Sequence, residues 1–263
     1  MTIAEVRRPD GFLERGGQVT RLEAFVDAAF AFTMSLIVIS AGSIPEDVES
    51  LIEALKFVPA FAACFSMVAI FWYGHNTWSR RYGLDDGLST FFSLLLVLLV
   101  MVWVYPLRLM FGAAFGWLSQ LTLPPSWHLP YAFEISGPSD LRLMFVIYGV
   151  AWSSLGFTLA LLYWHAWRCR ENLGLNTEER VRTYGEVGRW LWVPATGVAS
   201  MIVALVVPID RSFWLLGTPG MVYFLMVLSG VAGTVFERRA RRLVDGAVLG
   251  SAPESDPPTQ DQE

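Results

Sequence analysis

The chain reads as an all-α membrane protein that crosses the bilayer six times, and three observations carry that reading. Its 263 residues are 54% hydrophobic and 16% charged, where soluble domains run at about 45–50% and about 25%. Six stretches, at about 22–41, 55–74, 89–111, 142–166, 190–209 and 213–235, meet the requirement of roughly 20 predominantly apolar residues per crossing. Of the 19 basic residues, all but Lys56, Arg108, Arg142 and Arg211 fall on one side of the resulting six-span path. The positive-inside rule then places that side, and both termini, in the cytoplasm. The mean hydropathy of +0.46 fits this placement, and the pI of 5.3 leaves no general basic field for nucleic acid.

Residues 1–20 form a cytoplasmic N-terminal segment, 21–236 a six-helix transmembrane domain, and 237–263 a cytoplasmic tail, disordered in composition from about 250. Span one follows a region that mixes acids with bases, and Asp27 interrupts it. It is therefore expected to remain in the chain rather than be cleaved at Ser40–Ser43 as a signal peptide. Span three is the most apolar. Pro106 and Arg108 mark a kink or the interface at its end, and 112–140 reads as an external loop rich in aromatics and proline (Trp117, Trp127, Tyr131, Pro130). Span four carries Gly149, Ser153, Ser154 and Gly156, small residues that let helices approach closely in lipid. Spans five and six are separated only by residues 208–211 and form a tight hairpin. Trp72, Trp78, Trp164, Trp167, Trp190 and Trp192 sit at the cytoplasmic ends, where an interfacial aromatic belt belongs. Cys64 and Cys169 are too far apart along this path for a disulfide.

Span one holds the most chemistry. An acid such as Asp27 within a span faces a partner, water or a functional pathway; an interfacial or purely structural acid is the plainer alternative. Ala28, Phe32, Ser35 and Ile39 recur at i, i+4, i+7 and i+11 and share one helix face. In a single helix such a stripe is ordinary packing. Around a symmetry axis it would form a hydrophobic ring at Phe32 and a hydroxyl ring at Ser35, two recognised ways to gate and select ions. His75 lies at the end of span two. No second His, Cys or carboxylate stands at a ligand spacing from it, so neither a metal site nor a cofactor is expected. A contact between His75 and Asp27 is compatible with their common side.

Arg21-x-x-x-Phe25-x-Asp27 followed by Phe30-Ala31, then Trp72-x-x-His75, Arg80, Asp85 and Pro106, resembles the lysosomal potassium channel family (transmembrane protein 175 type) and its prokaryotic six-span relatives. The resemblance covers about 21–109. It implies a homotetramer in the cell membrane, with the first helices lining a pore for potassium as the permeant ion. It also implies a structural network of Arg21, Phe25, Asp27, Trp72 and His75 that holds the pore helix, and pore-lining roles for Ala28, Phe32, Ser35 and Ile39. Phe32 stands where the family has the Ile or Leu of its constriction, and Ser35 where it commonly has Thr. Val26 and Ala28 replace the motif's Ser and Gly.

One helix cannot enclose a pore, so a single copy of the motif demands closed oligomeric symmetry. Glu46, Asp47, Glu49 and Glu53 follow span one; they either concentrate cations at a pore mouth or form a solvated turn and helix cap. The function expected is a potassium-conducting channel with no covalent chemistry and no nucleic-acid partner. The alternative is a proton-coupled carrier built on Asp27 and His75, against which no inverted repeat is visible.

Overall fold

A computed structural model of the chain describes residues 7–39, 45–129, 137–208 and 217–250, with side chains through 243. In chain order the helices are α1 (Arg21–Ile39), α2 (Val48–Leu55), α3 (Val58–Tyr82), α4 (Gly87–Thr122), α5 (Pro138–Arg168), α6 (Thr177–Val206), α7 (Thr218–Met221) and α8 (Ser229–Gly250). Short 3-10 turns occupy Pro125–Trp127 and Val222–Leu228. Six runs are long and apolar enough to cross a membrane: α1, α3, α4, α5, α6 and the composite Thr218–Leu243. Among the described residues the only extended pairing is one bridge between Arg7 and Leu13. The protein is therefore all-α and multi-pass. Residues 209–211 of the expected hairpin, residues 40–43 and 130–131, and the tail from 251 lie outside the described residues.

Local chemistry sets the helix boundaries. Thr20 caps α1: its hydroxyl accepts from the Glu23 N–H at 3.2 Å, while the Glu23 carboxylate accepts from the Thr20 N–H at 2.8 Å. Gly83 ends α3 at φ +56°, and a Cβ there would lie 2.8 Å from the Arg15 carbonyl oxygen, so both the left-handed cap and the close chain crossing need glycine. Asp86 caps α4 through the Ser89 N–H, and Asn176 with Glu179 forms a capping box on α6. Within the acidic stretch after α1, Asp47 is the cap of α2. Asp47 accepts from the Ser50 N–H at 2.7 Å, which holds its carboxyl below the usual range, and Glu53 pairs with Lys56.

One boundary differs from expectation. Residues 112–122 are helical, because α4 continues through Pro106 to Thr122 rather than ending near 111. A proline in a membrane helix removes one N–H, but the remaining ladder and neighbouring helices can sustain the run. Gly112 and Gly116 are buried within it, and Trp117 is a helix residue. The connection to α5 is correspondingly shorter than 112–140.

Helix packing follows the small residues. A Cβ on Gly197 of α6 would sit 2.3 Å from the Ser153 hydroxyl and 2.9 Å from the Gly149 carbonyl, and one on Gly156 of α5 would meet Val193 at 2.4 Å. The α5–α6 backbones thus approach where sequence placed the glycines. Aromatic contacts fill the space between them and α3: Phe71 meets Trp152 edge-on, and Tyr163 stacks on Trp190. Trp78 belongs to this core rather than to an interfacial belt, being buried with its indole N–H donated to the Leu162 carbonyl at 2.9 Å. Trp164 is exposed, with Arg168 over its ring, as a belt residue would be.

The starts of α1, α4 and α6 and the ends of α3 and α5 meet at one end of the bundle, here the basic end. The N-terminal segment is tied there. Arg15 forms a paired contact with Glu179 at 2.9 and 3.1 Å, and Glu179 also accepts from the Leu13 N–H. Arg81 pairs with Asp10 and Glu186, each at 3.1 Å, and lies over the Phe12 ring.

Candidate functional site

Helix α1 divides into two faces. Val26, Phe30, Thr33 and Ile37 are buried and pack against α3 and α4. Their spacing of four, three and four residues makes them a single stripe. Thr33 satisfies its hydroxyl locally by donating to the Ala29 carbonyl at 2.8 Å. The opposite stripe, Ala28, Phe32, Ser35 and Ile39, is exposed along its whole length. Phe32 is 52% exposed, although it is one of the largest apolar side chains in the span.

The exposed stripe is chemically ordered along the axis. With a rise of about 1.5 Å per residue, Ala28 lies about 6 Å from Phe32, Ser35 about 4.5 Å beyond Phe32, and Ile39 about 6 Å beyond Ser35. Ser35 donates its hydroxyl proton to the Ala31 carbonyl at 3.1 Å. The Ser35 oxygen keeps its capacity to accept.

The anchoring residues are partly joined. The Trp72 indole N–H donates to the Asp27 carboxylate at 2.8 Å and ties α1 to α3. His75 is buried, and its Nε2 lies 2.9 Å from the Ser93 hydroxyl of α4. Asp27 and His75 therefore hydrogen-bond to different partners rather than to each other. Arg21 is exposed at the start of α1 and pairs with no described residue, and Phe25 is exposed on the same helix. Both lie on the uncovered side of α1 and outside the bonded set of this one chain.

Two further anchors were not anticipated. Glu23 both caps α1 and accepts a hydrogen bond from the Ser79 hydroxyl of α3, and the Thr20-x-x-Glu23 spacing is its sequence signal. Ser93 holds His75, and nothing in the apolar run around it marks that partner. Together, Asp27–Trp72, Glu23–Ser79 and His75–Ser93 lock the α1–α3–α4 unit from within.

Residues 21–106 match the family described as endosomal/lysosomal potassium channel TMEM175. A relative from Marivirga tractuosa described as a potassium channel is 30% identical over 241 residues, covering 89% of this chain and 94% of the relative. The chain belongs to the TMEM175 potassium channel family. The crystal structure of a threonine-to-alanine variant of the potassium channel MtTMEM175, in complex with a nanobody–MBP fusion protein, superimposes with a TM-score of 0.74 at 27% identity. That match covers 94% of this chain and 100% of the solved one. The TMEM175 match coincides with the segment that holds both α1 faces, Trp72 and His75. Membership in this family is membership among channels, which are not enzymes.

Proposed function

We propose that the chain is a potassium-conducting channel of the cell membrane, formed by four copies whose first helices line the pore. Both termini are cytoplasmic, as the positive-inside rule places the arginine-rich end. The observation that carries this reading is the uncovered Ala28–Phe32–Ser35–Ile39 stripe, opposite a face whose Val26, Phe30, Thr33 and Ile37 are fully engaged. Large apolar side chains exposed in one chain of a membrane helix need lipid, a partner or an axis around which copies meet. A stripe with a hydroxyl in register favours the axis.

Four Phe32 rings would form the constriction, and four Ser35 oxygens would offer a cation partial replacement of its hydration shell about 4.5 Å farther along. Selection would rest on the cost of dehydration at the apolar ring. Phe32 is bulkier than the Ile or Leu expected at that position, so the closed ring is tighter and its opening demands more of α1. Asp27, Trp72, His75 and Glu23 act from behind the helix and fix its rotation. A proton-coupled carrier draws less support: Asp27 is bonded to Trp72 and His75 to Ser93 rather than to each other.

Potassium flux from liposomes containing the purified full-length chain tests the proposal. The expected result is flux above empty vesicles, raised in Phe32→Ala. No flux, or flux indifferent to Phe32→Ala and Phe32→Asn, overturns it.

A further inference from the structure

At the basic end, away from α1, three side chains of three different donor types converge. His165 in the last turn of α5 places Nε2 2.7 Å from Oδ2 of Asp86, and Cys169, the C-cap of the same helix, places Sγ 3.9 Å from that same Nε2. All three donor atoms lie within 4.8 Å of one another. We infer that Asp86, His165 and Cys169 form a binding site for a divalent transition-metal ion of the zinc class.

The donor set fits that class. A thiolate, an imidazole and a carboxylate are the three side-chain types that zinc takes, with bonds of about 2.0–2.3 Å. Two ligands on a tetrahedral ion with such bonds stand about 3.3–3.7 Å apart. The present separations bracket that range. The Nε2–Oδ2 distance must open by under about 1 Å, and the sulfur must move by a similar amount. His165 and Cys169 are four residues apart at the end of one helix, so they project to the same side.

Each ligand is also held or exposed in a way that suits coordination. The second carboxylate oxygen of Asp86, Oδ1, accepts the Ser89 N–H at 2.8 Å, which aims Oδ2 at His165. Such outer contacts orient metal ligands. The His165 side chain is buried, whereas that of Asp86 is 44% exposed, which leaves an open side for water as the fourth ligand. An ion here would clamp the N-terminus of α4 to the C-terminus of α5, on the two sides of the arginine-rich loops. The other cysteine, Cys64, lies buried in the first third of α3 and takes no part.

Cobalt(II) titration of the chelator-stripped, full-length protein in detergent tests the site, since a sulfur–cobalt bond gives a charge-transfer band in the near ultraviolet. One cobalt per chain is expected, with the band present in the unmodified protein and in Cys64→Ser. Cys169→Ser should abolish the band, and His165→Ala and Asp86→Asn should each weaken cobalt binding about ten-fold or more. Asparagine keeps the helix cap at position 86, so loss of binding there reports the carboxylate rather than the fold. Zinc should displace the cobalt and raise the melting temperature of the unmodified protein and of Cys64→Ser, and leave that of Cys169→Ser unchanged. No band in the unmodified protein, a band that survives Cys169→Ser, or one that disappears only in Cys64→Ser overturns the inference.

Discussion

Replacing Trp72 by Phe keeps a large aromatic ring between α1 and α3 but removes the indole N–H that reaches Asp27 at 2.8 Å. Neutral hydrogen bonds between membrane helices average about 0.6 kcal/mol, with a maximum near 1.7. Bonds to a charged partner contribute about 1.5–3 kcal/mol in soluble proteins. Asp27 is half-buried and therefore partly hydrated, so the coupling between Asp27 and Trp72 should fall at about 1–2 kcal/mol. A double-mutant cycle of Asp27→Asn and Trp72→Phe, read by denaturant unfolding of the purified chain in detergent, isolates that value. The single variants should also release α1 and reduce potassium flux. A coupling at or below about 0.6 kcal/mol would place the pair with ordinary neutral contacts and refute its role as the anchor of the pore helix.

Three other outcomes follow from the packing and the basic end. Gly197→Ala should destabilise the chain by about 1–3 kcal/mol, because its Cβ would press on the Ser153 hydroxyl and the Gly149 carbonyl; a lower melting temperature in detergent checks this. Arg15→Met should cost about 3 kcal/mol by denaturant unfolding, since Glu179, with its side chain 4% exposed, loses its paired guanidinium. Adding Glu179→Gln should recover part of that loss: the buried charge is gone, and the amide oxygen still accepts one of the Leu13 and Asn176 N–H groups that the two carboxylate oxygens share between them. Ser89→Ala should leave α4 intact, with unchanged helicity by circular dichroism, because the Asp86 cap is made through the Ser89 backbone N–H at 2.8 Å, which alanine keeps.

Much of the architecture was readable because the bilayer imposes length and composition on each span. The six crossings, the close α5–α6 approach at Gly149 and Gly156, and the uncovered face of α1 all follow from local spacing. What was not readable depends on partners distant in the chain. Arg15 and Glu179 are 164 residues apart, and neither residue alone announces a buried pair. The end of α4 was obscured by Pro106, Arg108 and two glycines, which break soluble helices but are tolerated where neighbouring helices cover the backbone. His165-x-x-x-Cys169 carries a ligand spacing in plain view. Its third member, Asp86, is supplied only by the fold, while attention falls naturally on His75 because it sits beside the motif.

The central claim, that one particular face of α1 lines the conduction path, is tested most directly by cysteine accessibility under current. In a Cys64→Ser, Cys169→Ser background, single cysteines at positions 28, 32, 35 and 39 should each allow a water-soluble thiol reagent to block potassium current in planar bilayers. Cysteines at 26, 30, 33 and 37 should not. Block at the second set and silence at the first would contradict the account.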